Sequence, residues 1–501
     1  MKPTPFDKRY SLLVFLLLHC LQTGSARATE NIEPRLVLFM VIDQARYDYV
    51  ERFRPHLKGG LKYLLDHGVV FTEAYHHHAI TRSAPGHAAL VTGLHPSRSG
   101  MIANSWYDRT AQNVVYSVGD VDAPILLPRI RSIRDLQRSL PGRSTRNLRG
   151  TALSDWLKSK DPRSKVFSLG GKDRTSILIG GKEPDGVFWY DAGYRFWLTS
   201  LYYMESYPNW IRGYNEKLRG PETFNESLMI DFAKKLIDNE KLGDDSHLDL
   251  LALAFCTTDL IGHRVGPDSP DMLRALLAID ETLGDLIRHV DRRVGLEHVA
   301  FVVASDHGVM PLPESIEKPD RGHVLDSDDV ACFRDAESLL DEKWGDDDWL
   351  LFENYLNDDA IESRGIDRNE AERLLARGLS ACSVVERVWT KTELLSPPPY
   401  GDLYQELYVN SFHAERSPDV VVQLKKYHTN QVGVPATHGS PYSYDRHVPF
   451  VIVFPGIEPS VVATRIHAVD LAPTLAALLG IPFPDDLDGR DRSDLLPKRR
   501  D

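Results

Sequence analysis

The sequence predicts an α/β fold: a mostly parallel central sheet with helices on both faces and inserted segments that cap it. Three observations predict this. Short apolar runs rich in β-branched residues recur along the chain, as expected of strands buried on both faces. Helical patterns alternate with those runs, which is the signature of a sheet covered by helices. The chain is long enough for one large core, with 501 residues of which 42% are hydrophobic and 26% charged.

The predicted strands are RLVLFMVID (35–43), KVFSLG (165–170), LDLLALAFCTTD (248–259), HVAFVVASDH (298–307), DVVVQL (419–424) and VPFVIVF (448–454). The clearest helix is 269–294, opened by Ser269, Pro270 and Asp271, with apolar residues at helical spacing. A second, 468–480, stops at Gly480. HAALVTG (87–93) reads as one or two helical turns ended by Gly93, and either Ser83 or Thr81 can cap it. Two stretches break the rhythm. Residues 175–245 are rich in Tyr, Trp and Gly, and 311–417 carry an acidic run and a proline cluster; both read as insertions on a single domain spanning 29–501.

The first 28 residues read as a cleaved signal peptide. Lys2, Lys8 and Arg9 precede a short apolar stretch, and Ala26-Arg27-Ala28 fits a cleavage site. The mature protein is therefore expected in the periplasm or secreted, as a monomer without a membrane span. The whole chain carries −13; loss of the signal, with its net +3, leaves −16. Such a charge argues against nucleic-acid binding. The seven arginines of 129–149 read as a solvated helical face. Cys256 is expected buried and unpaired, and one bridge between Cys332 and Cys382 is open in an oxidising compartment.

Acidic residues follow the strands. Strand 35–42 leads into Asp43, 248–256 into Asp259, and 299–305 into Asp306. Ligands of open α/β sheets bind beyond the carboxyl ends of strands, where these carboxylates converge. His263 comes four residues after Asp259, His307 directly after Asp306, and His438 lies in a Gly/Ser turn before another strand. Three Asp and three His suit two divalent ions with mixed oxygen and nitrogen ligands, most naturally zinc. His87 reads as a packing residue or a support for those ligands, and the tract His76-His77-His78 as a support for its turn. His447 is a weaker candidate. Zinc lowers the pKa of an oxygen bound to it, which gives Ser83 a role as nucleophile without a separate base.

The motifs VIDQARYDYV, SAPGHAALVTG, IANSWYD, TTDLIGHRVGP, SDHG and THGSPYSYDRHVP together resemble the alkaline phosphatase superfamily. Within it the chain is most similar to the phosphate-irrepressible bacterial alkaline phosphatases, relatives of the nucleotide pyrophosphatases/phosphodiesterases. The resemblance runs from about residue 35 to LAPTLAALLGI. It implies an alkaline-phosphatase-like fold and two Zn2+. Asp259, His263 and His438 would bind one; Asp43, Asp306, His307 and the nucleophile Ser83 the other. The family commonly has threonine at the nucleophile; serine here keeps the hydroxyl, and Thr81 is the fallback. The resemblance also implies that Asn104, Lys172 and Arg174 contact phosphate. The implied activity is hydrolysis of small phosphate monoesters through a phosphoseryl intermediate. The rival is a phosphodiesterase or nucleotide pyrophosphatase, with a non-catalytic phosphate-ester binding protein a remote third; a sulfatase lacks support in the motif.

Overall fold

A computed structural model describes residues 33–127, 141–218, 220–221 and 223–499. The expected signal peptide, 1–28, lies outside the described residues. Ten strands form the central sheet: β1 (Leu36–Ile42), β2 (Val69–Phe71), β3 (Ile125–Leu126), β4 (Val166–Gly170), β5 (Gly186–Asp191), β6 (Phe196–Ser200), β7 (Asp249–Phe255), β8 (Val299–Ala304), β9 (Phe450–Val453) and β10 (Ser460–Val462). Their order is β10-β2-β9-β8-β1-β7-β4-β5-β6-β3. The run β8-β1-β7-β4-β5 is parallel throughout. Antiparallel pairings lie on both flanks, including β8 with β9, so 448–454 enters the sheet against the expected direction.

The helices that matter below are α1 (Gly60–His67), α2 (Ser83–Thr92), α3 (Asp173–Gly180), α4 (Glu226–Glu240), α5 (Thr257–Val265), α6 (Pro270–Arg293), α7 (Ser327–Trp344), α8 (Arg368–Ser380) and α9 (Leu471–Leu478). β1 shows why the sheet needs cover on both sides. Successive side chains point to opposite faces. Leu36, Leu38, Met40 and Ile42 join one apolar cluster with Leu64 of α1, Phe232 of α4 and Ile279 of α6. Val37, Phe39 and Val41 join another with Leu90 of α2 and Leu475 of α9. α6 matches its sequence signals: the Ser269 hydroxyl accepts from the Met272 N–H at 3.2 Å and Pro270 occupies the first turn.

Three expectations change. Residues 175–245 are not simply an insertion, because they supply β5 and β6; their aromatic richness reflects burial of Trp189, Tyr190 and Trp197 between sheet and helices. The run 419–424 leaves the central sheet. Its strand Val420–Leu424 pairs antiparallel with Val385–Thr390 and, with α7 and α8, builds a separate cap around Leu340, Trp349, Leu375 and Val420. Of the arginine-rich segment, 128–140 lies outside the described residues. The rest is not a helical face: Arg143, Arg146 and Arg149 pair with Asp173, Asp122 and Glu415.

Cys332 and Cys382 form a disulfide within the cap, and Cys256 is free and buried. Among the described residues no helix is long and apolar enough to cross a membrane.

Candidate active site

Register brings the acidic residues together. Ile42 stands opposite Phe255 and Val41 opposite Ala304, so β1, β7 and β8 end level with one another. Asp43 follows β1, Asp259 sits in the first turn of α5, and Asp306 lies two residues beyond β8. All three carboxylates are buried.

Two groups emerge whose ligand atoms lie within 4.8 Å of one another: Asp43 with Asp306 and His307, and Asp259 with His307 and His438. His307 thus borders both groups, whereas the sequence placed it only in the first. Its ring stacks on that of His438 with centroids 3.7 Å apart. His263, expected to be a ligand of the second group, lies outside it but beside it. Its Nε2 is 3.3 Å from Asp259 Oδ1, and its ring centroid is 5.0 Å from that of His438.

The donor chemistry fits metal ions. His263 Nδ1 meets the Ala436 carbonyl at 2.9 Å, His307 Nδ1 the Gly308 carbonyl at 2.9 Å, and His438 Nδ1 the Thr81 carbonyl at 2.7 Å. A carbonyl only accepts, so each Nδ1 carries the proton and each Nε2 turns a lone pair into the site. Asp43 Oδ1 and His307 Nε2 are buried with no hydrogen-bond partner, and Asp306 Oδ2 faces only His87 Nδ1 at 3.1 Å and His307 Nε2 at 3.2 Å. Buried polar atoms are ordinarily paired, and a cation satisfies all three at once. Burial, followed by repulsion from Asp259 and Asp306, pushes the Asp43 carboxyl up to about 6. Bound cations relieve that crowding of negative charge.

The other implied residues surround this centre. Ser83 opens α2, four residues earlier than expected, and neither Ser83 nor Thr81 caps the helix: Arg82 holds the cap position without a side-chain bond. The Thr81 hydroxyl donates to the Ser440 carbonyl at 3.1 Å and accepts from the Gly439 N–H at 3.2 Å. Asn104 Oδ1 accepts from the Ala84 N–H at 2.9 Å, leaving its NH2 as the free donor end. Lys172 Nζ lies between the two groups, 2.6 Å from Asp43 Oδ2 and 2.6 Å from Asp259 Oδ2. Burial opposes its charge, but those carboxylates hold it above the ordinary lysine value. Arg174 stands beside Tyr116, NH1 to hydroxyl 3.5 Å, and its Nε is buried without a partner. Tyr116 in turn donates to Asp173 at 2.6 Å.

Supporting residues escaped the sequence. Gln44, at φ 67°, donates its backbone N–H to Asp306 Oδ1 at 3.1 Å and its side-chain Nε2 to Asp259 Oδ1 at 2.8 Å, bridging the groups. Gly262 makes room for it, since a Cβ there would lie 1.6 Å from Gln44 Oε1. The glycine inside DLIGH was the available signal. Among the other histidines, His76 Nε2 meets the Ser305 carbonyl at 2.8 Å and props the end of β8. His447 stacks between Tyr47 and Tyr75, away from the site.

A cleft of about 890 Å³ runs from Asn104 and His438 to the cap residues Phe333, Phe352 and Tyr355.

With this geometry, similarity to known proteins becomes informative. The family model for type I phosphodiesterase / nucleotide pyrophosphatase matches residues 37–429. The chain belongs to that family. It is an enzyme of the alkaline phosphatase superfamily, of which this family is a branch. The alkaline phosphatase PhoD of Zymomonas mobilis is 30% identical, covering 91% of this chain and 87% of its own. The crystal structure of wild-type alkaline phosphatase PafA shares the fold, with a TM-score of 0.84 over 93% of this chain and 99% of that one at 24% identity. Murine ectonucleotide pyrophosphatase/phosphodiesterase 5 has a TM-score of 0.54 over 92% of this chain and 100% of that one at 18% identity.

Proposed function

We propose that the chain is an exported two-zinc phosphomonoesterase, with residues 29–501 acting as one catalytic domain after removal of the signal peptide. Asp259, His263 and His438 would hold one zinc, and Asp43, Asp306, His307 and Ser83 the other. When bound, zinc supplies Lewis-acid charge and lowers the pKa of a coordinated oxygen.

The chain's own groups do the rest. Ser83 Oγ attacks phosphorus in line with the departing alkoxide and carries the phosphoryl group until water releases it. The N-terminus of α2 adds positive potential where the phosphate sits. Asn104, through its free NH2, with Lys172 and Arg174, binds the non-bridging oxygens and matches the charge they carry in the transition state.

The observation that carries the monoester reading is Lys172, whose Nζ lies 2.6 Å from Asp43 Oδ2 and 2.6 Å from Asp259 Oδ2, with Arg174 in the first turn of the helix that follows it. A monoester dianion presents one more negative charge than a diester, and the cations of Lys172 and Arg174 would answer that charge. The similarity to enzymes named alkaline phosphatase supports the same reading. The rival is a phosphodiesterase, the activity in the family's own description. The deciding experiment is kcat/KM for an aryl phosphate and for its aryl methyl diester, with metal content measured on the same preparation. The expected result is preference for the monoester and two zinc ions per chain. Preference for the diester, or less than one transition metal per active chain, overturns it.

A further inference from the structure

The cleft beneath the cap contains a cation that the proposed chemistry leaves unused. Arg82 directly precedes Ser83 and lines the cleft. It is part-buried, and among the described residues no carbonyl or side chain accepts a hydrogen bond from its guanidinium. A Cβ on Gly439 would lie 3.4 Å from Arg82 Nε, so the guanidinium stands beside the residue that follows His438. In-line attack by Ser83 would send the leaving group away from Ser83, toward the side where Asp259, His263 and His438 would hold the other zinc.

Glu353 lines the same cleft. It lies exposed on the cap hairpin and makes no hydrogen bond to Arg82. Glu337, Arg334 and Lys425 line the cleft as well. A guanidinium that opens on a cleft without a protein partner presents a planar fork of N–H donors, which suits a carboxylate or a phosphate. The Asn430 amide, whose Nδ2 donates to the His438 carbonyl at 2.7 Å, closes the same corner.

We propose that Arg82 forms a leaving-group subsite that selects phosphate monoesters whose alcohol carries a second anionic group. This rests on the phosphomonoesterase reading and adds to it a preference among substrates.

The test uses the full mature enzyme and three aryl monoesters, in which the ring carries a carboxylate, a second phosphate or a neutral carboxamide. The wild type should favour at least one anionic ester over the amide, and the favoured arm names the group. That preference should shrink with added salt. Arg82→Gln should lower the anionic-to-neutral ratio of kcat/KM about tenfold, the size of one hydrogen bond to a charged group, and Arg82→Lys should recover part of it. A wild-type ratio at or below one, or an unchanged ratio in Arg82→Gln, overturns the subsite. Because the wild-type ratio needs no variant, a poorly folding mutant leaves the test intact. Failure to hydrolyse even the neutral ester would instead remove the phosphomonoesterase reading on which the subsite depends.

Discussion

His87 Nδ1 lies 3.1 Å from Asp306 Oδ2, with both side chains fully buried. One turn into α2, His87 ties the helix that presents Ser83 to a carboxylate of the candidate metal centre. The same nitrogen is 2.8 Å from the Ser83 carbonyl. Gly86 permits the approach, since a Cβ there would lie 2.0 Å from the Asp306 carbonyl oxygen.

His87 is therefore expected to act as a positioning residue. His87→Ala should weaken metal affinity or activity by about 10- to 100-fold, the range for groups that orient a metal ligand. A zinc titration of activity separates this from a packing role: the midpoint should move to higher zinc. If only thermal stability changes, His87 is merely structural. Gly86→Ala should be more damaging, because backbone rather than a side chain must yield.

Ser83→Ala should abolish most turnover while the fold survives, since one hydroxyl is lost at the start of a buried helix. Ser83→Thr should keep measurable activity. Thr81→Ala should act through the Ser440 and His438 loop instead, with a smaller loss. Steady-state kinetics on the three variants, with circular dichroism as the folding control, check this. Near-wild-type activity in Ser83→Ala would remove the nucleophile assignment.

Lys172→Ala and Arg174→Ala should each slow monoester hydrolysis on the order of 10²-fold, about 3 kcal/mol of transition-state stabilisation. Diester hydrolysis, with one charge fewer, should fall much less. The ratio of the two losses is the measurement. Equal losses would mean that these cations only hold Asp43 and Asp259 in place.

Stability should fall in mild acid. Burial holds His95 down at about 4 and His467 down at about 3, against 6.5 for an ordinary histidine. A depressed folded pKa means that the unfolded chain binds more protons below pH 6.5. This stabilisation is present above that pH and is lost as pH falls toward 4. Melting temperatures measured from pH 7.5 to 4.5 should therefore decline through that window. The decline should be shallower in His95→Asn, and an identical slope in that variant would exclude His95 as a contributor.

Most of the proposed metal-binding set was legible because its members follow apolar runs. A strand buried on both faces announces itself, and Asp43, Asp259 and Asp306 stand just past three of them. Pairing was less legible. The run Val420–Leu424 is as apolar as any central strand, but apolarity specifies burial and not a partner, so its place in the cap could not be read. Gln44 was missed for a different reason. Its role depends on a left-handed backbone and on contacts to residues 259 and 306, far away in sequence. His307 shows the limit of chain order: adjacency to Asp306 suggested one group, whereas stacking on His438 places it between two.

The connection between cap and body bears on what can enter. Asp419, fully buried at the cap's two-stranded ribbon, pairs with Arg368 of α8 and with Arg109, which lies at the turn of the hairpin that follows Asn104. Arg416 adds bonds of 2.7 Å to the carbonyls of Gly100 and Asn147. Swinging the cap away would leave a buried carboxylate short of a cation, a costly step. These bridges predict a cap that stays in place and a cleft that admits esters by girth. Small phosphorylated metabolites should pass and a phosphorylated folded protein should not, a contrast that side-by-side phosphate-release assays would reveal.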